Sequence, residues 1–477
     1  MDGYRDRDWR DEAQASLADR RCSVCRGTSA FGAAVIALSL LPWFAWAADS
    51  PPDSPPADQA APENWAVHGQ GTFLMQYHPG FGASVPLGPQ SLDSGRRGDE
   101  TFDTTIYAGL RLWRGAEFWI NPEADQGFGI QNTLGVAGFT SGEAYKIGAR
   151  DPYYRMTRAF VRQTIGLGGE AETVAPDLNV LGGSQDKNRV VITAGKFSVT
   201  DIFDTNKYAH DPRADFMNWS VIESGAFDYA ADSWGYTYGA SAEWYQDWWT
   251  LRGGLFDLSA TPNSEYLTLR PGQQFEVVVE AEERHSIFGQ PGKLKLLFYV
   301  NRGLMVRLND FTQAVAATGT APAMASLRHL NDRPGAALNL EQSLTDDLGM
   351  FARLSKADGR YETFDFTDID QSAAVGLSLQ GKRWGRDADV VGAAFVVNEA
   401  SRDRLNFFRA GGSGVLVGDG LGQPASAGPE QIFETYYNLA ATKWLNVTVD
   451  YQLVNHPAYN TGRGPVHVFG FRLHAQM

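Results

Sequence analysis

Apolar and polar side chains alternate one by one along several segments of the chain, and this period of two limits the possible folds more than any other feature. In one segment the apolar set is Tyr236, Tyr238, Ala240, Ala242 and Trp244. The same alternation runs through residues 67–77, 102–112, 249–255, 445–453 and 469–477. Successive side chains of a β-strand point to opposite faces of its sheet. The pattern therefore predicts strands with one apolar and one polar face.

Strand length and aromatic placement distinguish two folds that share this pattern, a soluble β-sandwich and a membrane β-barrel. The alternating segments are about ten residues long, which is enough to cross a bilayer. Aromatic residues are concentrated at their ends: Trp113, Trp119, Trp234, Trp244, Trp248, Trp249 and Trp444. The last segment continues to an apolar residue, Met477. We predict an all-β fold, a closed antiparallel transmembrane β-barrel with an aromatic belt at the membrane interface.

Composition agrees with such a barrel and excludes one class of partner. The chain has 51 glycines among 477 residues, as expected for many strands joined by turns. Its formal net charge of −15 repels phosphate groups, so we expect no nucleic-acid partner. One large barrel can account for most of a chain of this length.

The N-terminal region has the features of an export signal. Residues 29–48 form an apolar run that follows three arginines and ends in Ala45-Trp46-Ala47. A basic flank, an apolar stretch and small residues at the cleavage site are typical of a secretory signal peptide. We predict a signal peptide with a long n-region in residues 1–48; an uncleaved anchor helix is the alternative. A Pro-rich tether (49–64) and the barrel (65–477) would follow.

Short motifs for metals and cofactors are not convincing. Cys22 and Cys25 have the spacing of a redox or metal site, but both precede the apolar run and would be removed with it. Asp365, Asp368 and Asp370 could bind calcium, yet the EF-hand pattern is absent. We therefore expect no metal and no cofactor.

Several long segments are distinctive enough to indicate a family. They include GAEFWINPEADQGFGIQNTLGVAGFTSGEAYKIG (115–148), GKFSVTDIFDTNKYAHDPRADFMNW (195–219) and NHPAYNTGRGPVHVFGFRLHAQM (455–477). These segments resemble the OprB-type carbohydrate-selective porins, and the resemblance covers roughly residues 66–477. It implies an outer-membrane barrel of 16 antiparallel strands with inward-folded loops, through which sugars pass by diffusion.

The strand that begins at Ala116 provides the first candidates for a sugar path. Its alternation sends Glu117 and Trp119 to the face opposite Phe118. An indole on the lumen side could stack on a sugar ring, whereas one on the other side would belong to the lipid-facing belt. Both positions remain open for Trp119.

Charged residues provide a second group of candidates. Glu123 and Asp125 follow at the entry to a glycine-rich loop, and we expect Arg111, Arg158 and Arg162 to project inward opposite them. Opposed acids and bases across a constriction orient polar solutes and filter charge. The alternative is a salt-bridge network that only stiffens the barrel.

Residues 195–219 provide the third group, because charged residues are dense there. The candidates are Lys196, Asp201, Asp204, Lys207, His210 and Arg213. We predict a loop folded into the lumen and packed by Phe197, Phe203 and Trp219. His210 and Asp211 lack a third metal ligand at suitable spacing, which favours a hydrogen-bonded histidine.

These observations predict a carbohydrate-selective porin in the outer membrane of a Gram-negative bacterium, without enzymatic activity. The expected partners are carbohydrate solutes, outer-membrane lipid and the barrel-assembly machinery. Two alternatives belong to other classes: an outer-membrane barrel enzyme of the lipase or protease type, and a secreted sugar-binding β-sandwich. The first would need a nucleophile beside a base, and the sequence shows no persuasive Ser/His/Asp set.

Overall fold

A computed structural model describes residues 62–144, 148–269 and 272–477. The predicted signal peptide and most of the predicted tether lie outside the described residues. Within them, no helix combines the length and the apolar composition needed to span a bilayer.

Sixteen strands account for most of the described residues. They are β1 (Trp65–His78), β2 (Arg97–Trp113), β3 (Ala116–Gly127), β4 (Ala149–Val174), β5 (Gly183–Phe197), β6 (Thr237–Tyr245), β7 (Trp249–Asp257), β8 (Phe275–Ile287), β9 (Gln290–Met305), β10 (His329–Ser343), β11 (Leu348–Ala357), β12 (Gln371–Gly381), β13 (Arg386–Glu399), β14 (Glu430–Ala440), β15 (Leu445–Asn455) and β16 (Val466–Gln476). Three helices lie in the connections: α1 (Trp219–Ile222), α2 (Leu308–Thr318) and α3 (Arg402–Arg409).

Each strand pairs antiparallel with its sequence neighbours, and β1 pairs with β16. The sheet is therefore a closed barrel, so the described strands leave no edge with unpaired backbone groups. This confirms the predicted fold class. The alternation suits a closed barrel in a bilayer, because the apolar face of each strand meets lipid while the other face lines the lumen.

Connections at the two ends of the barrel differ in length. At one end most strands are joined by short turns, such as residues 114–115 and 288–289. At the other end the connections are long, and the longest of them covers residues 198–236. Outer-membrane barrels have short periplasmic turns and longer extracellular loops, which assigns the short-turn end to the periplasm.

The outer surface confirms much of the predicted pattern and corrects part of the predicted belt. Trp113, Trp244, Trp248 and Trp444 are exposed on the side of the short turns. Trp119, by contrast, has no exposed surface, so it lies on the inner face of β3 and not in the lipid-facing belt. Tyr236, predicted in the alternation, and Trp234, predicted in the belt, both precede β6 and line the interior.

Side chains on the inner face of the barrel hold the long loops by their backbones. Glu430 accepts hydrogen bonds from the amides of Ala137 (2.9 Å) and Gly138 (2.7 Å). Glu434 accepts from the amide of Met217 at 2.5 Å. A buried carboxylate that accepts several N–H donors is satisfied without water. The loops thus replace part of the water that would otherwise fill the barrel.

Candidate functional site

The loops inside the barrel leave a cavity of about 300 Å³. Its lining comes from inward-facing residues of β1, β2 and β4 and from the connections 128–144, 175–182, 198–236 and 358–370. This volume is at the lower end of the range for sites that bind small molecules. The cavity is therefore the candidate functional site, and two of its surfaces have opposite chemical character.

The loop 198–236 supplies much of the lining, and strand residues fix its position. Asp204 accepts from the amide of Ser224 (2.6 Å) and from the side-chain amide of Asn339 (2.7 Å). Arg353 donates to the carbonyl oxygens of Val221 and Ala209, each at 2.7 Å. Because the loop backbone is bonded directly to buried strand side chains, its inner surface is held in one place.

Aromatic rings form one surface of the cavity. Phe139 and Trp219 are stacked with centroids 5.1 Å apart and planes 15° apart. Tyr229 and Phe366 lie beside them, with their own centroids 4.7 Å apart. The indole Nε1 of Trp219 is buried and has no hydrogen-bond partner among the described residues. This surface offers a flat apolar face and one available donor.

Arg158 provides a charged surface close to these rings. Its guanidinium donates two hydrogen bonds to Asp201, at 2.7 and 2.6 Å. It also lies over the ring of Tyr236, 5.0 Å from the centroid. A bidentate pair and a cation–π contact together fix the plane of the guanidinium. Arg158 therefore presents an oriented set of donors beside the cavity.

Arg213 links a second set of acids to the cavity. Its Nη2 lies 3.0 Å from Glu143, and its Nε lies 3.6 Å from Asp103. Burial raises the pKa of Glu143 well above its ordinary value, although the charge of Arg213 opposes that rise. Asp211, also in the lining, has a lowered pKa: burial alone would raise it, but Arg213 stabilises the charged form.

Arg155 is a functional candidate that sequence reasoning missed. It donates to Glu123 and to Asp125, each at 2.5 Å, and lies over the ring of Tyr236. Strict alternation would place Arg155 and Arg158 on opposite faces of β4. The register shifts opposite Asn121, where the strand contains an extra residue, and both arginines then face inward.

The match to a family model follows this geometry. The model for carbohydrate-selective porins of the OprB family matches residues 90–477. The chain belongs to the OprB family of carbohydrate-selective porins. No curated protein matches it at a significant level.

Three solved structures illustrate what the chain is similar to. OprB of Pseudomonas putida at high pH is 16% identical, with a TM-score of 0.64, and the match covers 87% of this chain and 94% of that one. The low-pH structure of P. putida OprB is 12% identical, with a TM-score of 0.47 and coverage of 87% and 93%. The outer-membrane channel DcaP of Acinetobacter baumannii is 10% identical, with a TM-score of 0.46 and coverage of 87% and 97%.

Family and fold together identify the activity in general terms. This porin lies in the outer membrane of a Gram-negative bacterium and gives carbohydrates a passive route through the barrel. The sixteen closed strands supply the route, and the loops inside them narrow it.

The candidate residues predicted from the sequence occupy different parts of the porin. Those that line the cavity are Arg158, Asp201, His210 and Arg213. Lys196 pairs with Asp232, which lies 3.1 Å from its Nζ. Asp204 is buried in the loop contacts described above, and the Lys207 side chain is exposed. Four of the predicted residues therefore line the cavity, and Lys196 and Asp204 make ion pairs or hydrogen bonds outside its lining.

A separate group lies where the β4–β5 connection folds inward. Glu117 lies 3.8 Å from Arg111 and 3.9 Å from Arg162, and it accepts a 3.1 Å hydrogen bond from Trp119. Arg162 donates to the backbone carbonyl of Asn179 at 2.8 Å. We call residues 175–182, the connection to which Asn179 belongs, the inner turn. Four predicted residues thus lie around the contacts that hold the inner turn and do not line the cavity: Arg111, Glu117, Trp119 and Arg162.

Two further ionisable residues in the lining, besides Glu143 and Asp211, have shifted pKa values. Burial, together with the nearby Asp204, raises the pKa of Glu223 well above its ordinary value. Burial and the charge of Arg353 lower the pKa of His210. Glu223 was not predicted, because a single acid in a loop carries no sequence signal that distinguishes it from a surface residue.

Of the three aspartates considered for calcium, two are engaged by an arginine, and Asp365 accepts a hydrogen bond from the Ser259 hydroxyl at 2.9 Å. Asp368 and Asp370 both pair with Arg404, at 3.1 and 2.8 Å. Among the described residues, no group of three or more His, Cys, Asp or Glu side chains has an arrangement suited to a metal ion.

Proposed function

We propose that the cavity binds neutral carbohydrates weakly and releases them to either side. The observation that carries the proposal is the pairing of a stacked aromatic surface with oriented arginine and carboxylate groups around one cavity. A sugar ring has an apolar C–H face and a rim of hydroxyl groups, so it can use both surfaces at once.

The aromatic surface would hold the ring and the charged surface would select its hydroxyl pattern. The Phe139–Trp219 stack presents a continuous flat area, and the Trp219 Nε1–H can donate to a hydroxyl. Arg158 can donate to adjacent hydroxyls while Asp201 accepts from another. A water-exposed hydrogen bond contributes only about 0.5–1.5 kcal/mol net, so binding would be weak and release fast.

The ion pairs also set the charge preference. Arg158 and Arg213 are both paired with carboxylates, so the charges near the cavity largely compensate one another. A charged solute would have to leave its hydration shell without gaining a strong fixed partner. This arrangement favours neutral polar solutes such as sugars over ions of similar size.

We also propose that the solute is not altered during passage. Two hydroxyl groups in the lining bond to groups that cannot act as a base: Ser198 pairs with the Thr200 hydroxyl at 3.1 Å, and Ser233 donates to the carbonyl of Asn263 at 3.2 Å. A nucleophile needs an adjacent base to become active. Transport experiments should therefore recover the sugar unchanged.

Three further proposals concern the whole chain. We infer that the barrel-assembly machinery inserts it, because β1 must meet β16 before the barrel edges are satisfied. Its net charge of −15 disfavours nucleic acid as a partner. We retain residues 1–48 as a cleaved signal peptide, which N-terminal sequencing of the membrane-extracted protein would test.

Conductance measurements in planar bilayers test the sugar proposal directly. We expect purified protein to give steady ion conductance that falls in a saturable way as glucose or a disaccharide is added. Analysis of the trans solution should find the same sugar, without hydrolysis products. A conductance unaffected by mono- and disaccharides up to molar concentration would contradict the proposed binding site.

A further inference from the structure

The β4–β5 hairpin differs from the other hairpins at the periplasmic end of the barrel. β4 is 26 residues long, and its pairing with β5 continues to Val174 opposite Gly183. The register is irregular around Gly168 and Gly169, which have φ values of 90° and 94°. Side chains other than that of glycine rarely adopt such values. The hairpin therefore bends at this pair of glycines instead of continuing straight along the barrel wall.

The end of this hairpin turns into the barrel and reaches the cavity. Leu178 and Asn179 of the inner turn are part of the cavity lining. Leu181 is 2% exposed and belongs to the same apolar cluster as Tyr107 and Trp119 on the inner wall. The cavity is thus bounded by extracellular loops and also by a connection that enters from the periplasmic end.

Hydrogen bonds from the barrel wall and from the segment before β1 hold the inner turn in this position. From the barrel wall, Arg162 donates to the carbonyl of Asn179. From the segment before β1, Glu63 donates its amide to the Gly182 carbonyl (3.0 Å) and accepts the Gly182 amide on its carboxylate (2.7 Å). Arg111 in turn donates to the Glu63 carbonyl at 2.8 Å. The last residues of the predicted tether are therefore bonded to a connection that lines the cavity.

Asn179 has the features of a residue that contacts the solute. Its backbone is left-handed, with φ of 58°, a conformation that asparagine tolerates better than most residues. Its side-chain Oδ1 is buried and has no hydrogen-bond partner among the described residues. An amide oxygen without a partner costs stability unless a ligand or water satisfies it. A sugar hydroxyl in the cavity could supply the missing donor.

We propose that the inner turn is a second selectivity element of the pore, which enters from the periplasmic side and presents Asn179 to the sugar. Leu178 would narrow the passage, and Asn179 Oδ1 would accept a hydrogen bond from a hydroxyl of the carbohydrate. The contact of Glu63 with Gly182 would keep the turn in place. This inference rests on the proposed function for its sugar contact, but the narrowing is testable with ions alone.

The first experiment removes the turn and measures ion flow. Residues 169–187 are replaced by Asn-Gly, a two-residue turn that can join Gly168 to Asn188, its partner in the ladder. We expect higher single-channel conductance in KCl without sugar. Unchanged conductance of this folded variant would overturn the narrowing role.

The Glu63→Ala variant leaves the hairpin intact but removes the carboxylate that binds the Gly182 amide. We expect its conductance to be noisier or higher than that of the parent. A value identical to the parent would show that Glu63 does not hold the turn.

The second experiment removes only the amide. Asn179→Gly keeps the left-handed backbone accessible, and we expect it to weaken sugar block by about two- to ten-fold, the loss of one hydrogen bond. Unchanged sugar block would overturn the role of Asn179. The matched control is the Glu170→Gln, Lys187→Gln variant, which removes an exposed ion pair (3.8 Å) of the same hairpin. It should behave like the parent in both measurements.

These measurements separate the two proposals. If the parent channel shows no sugar block, the proposed sugar site fails, while the conductance of the shortened hairpin still decides whether the inner turn narrows the pore. If sugar block is present and Asn179→Gly does not change it, the sugar site stands and only the inferred contact is wrong.

Discussion

Two clusters of arginine and carboxylate groups inside this barrel are built from the same side chains and have different surroundings. In the first, which we call the sealed cluster, Arg333 pairs with Asp228 at 2.9 Å and Arg404 pairs with Asp370 at 2.8 Å. All four side chains are at most 2% exposed. In the second, beside the cavity, Arg158 pairs with Asp201 at 2.6 Å, and their side chains are 13% and 30% exposed.

The sealed cluster and the Arg158–Asp201 pair have different roles because only the second is accessible from the lumen. The sealed cluster is buried away from solutes, and it joins β10 to three loops, which contain Asp228, Asp370 and Arg404. Asp228 also accepts from the amides of residues 364–366. A buried pair of this kind is costly to break because the partner left behind remains charged and dry. The Arg158 pair lies beside open volume, where water can replace a lost partner. The same chemistry therefore holds loops together in one place and can meet solutes in the other.

The largest expected effect is on stability, from Arg333→Met. Removing the guanidinium leaves Asp228 without its charged partner, which should reduce the free energy of unfolding by about 3–5 kcal/mol. Urea unfolding from lipid vesicles, followed by tryptophan fluorescence, measures the loss. As the control, Arg302→Met breaks a pair with Asp332 whose side chains are 42% and 52% exposed, so it should cost less than about 1 kcal/mol. Equal losses would remove the distinction between sealed and accessible pairs.

Arg158→Ala should change transport more than stability. Loss of its donors should weaken sugar block by about two- to ten-fold, and loss of a positive charge should shift the reversal potential toward cation preference. Both are measured on one channel in a salt gradient with added sugar. Arg383→Ala, which breaks an exposed pair at a periplasmic turn, is the matched control. If neither quantity moves while the variant folds normally, Arg158 is structural like Arg333.

Trp219→Phe should have a smaller effect on the same block. Phenylalanine keeps an aromatic face against Phe139 but loses part of the area and the Nε1–H donor. We expect sugar block to weaken by about two-fold and ion conductance to stay close to that of the parent. Block that becomes stronger would indicate that the indole limits access to the cavity and does not support the ring.

The smallest effect is expected from Glu223→Gln at neutral pH. Burial and the nearby Asp204 raise the pKa of Glu223 well above its ordinary value, so its protonated, uncharged form is favoured to higher pH than in an ordinary glutamate. An acid with a raised pKa becomes charged only as the pH rises through that value. Reversal potentials of parent and variant should therefore agree at pH 7 and separate at alkaline pH. A clear difference at pH 7 would show that Glu223 carries charge beside the cavity.

The alternation of side chains, together with strand length and aromatic placement, was sufficient to predict a closed barrel, and long motifs were sufficient to indicate the family. A period of two is a local property, and lipid on one side with water on the other makes it strict. Four candidate residues chosen from the sequence line the cavity: Arg158, Asp201, His210 and Arg213.

Tertiary contacts determined which other residues lie at or beside the cavity. An extra residue in β4 opposite Asn121 reverses the alternation, so Arg155 faces inward beside Glu123 and Asp125. Tyr236 lies inside the barrel because its loop is bonded to buried strand side chains. The inner turn enters the pore through a bend at two glycines and contacts made by Glu63, a residue far away in sequence. Register shifts and inward loops depend on pairings between distant segments, and a local pattern contains no information about those pairings.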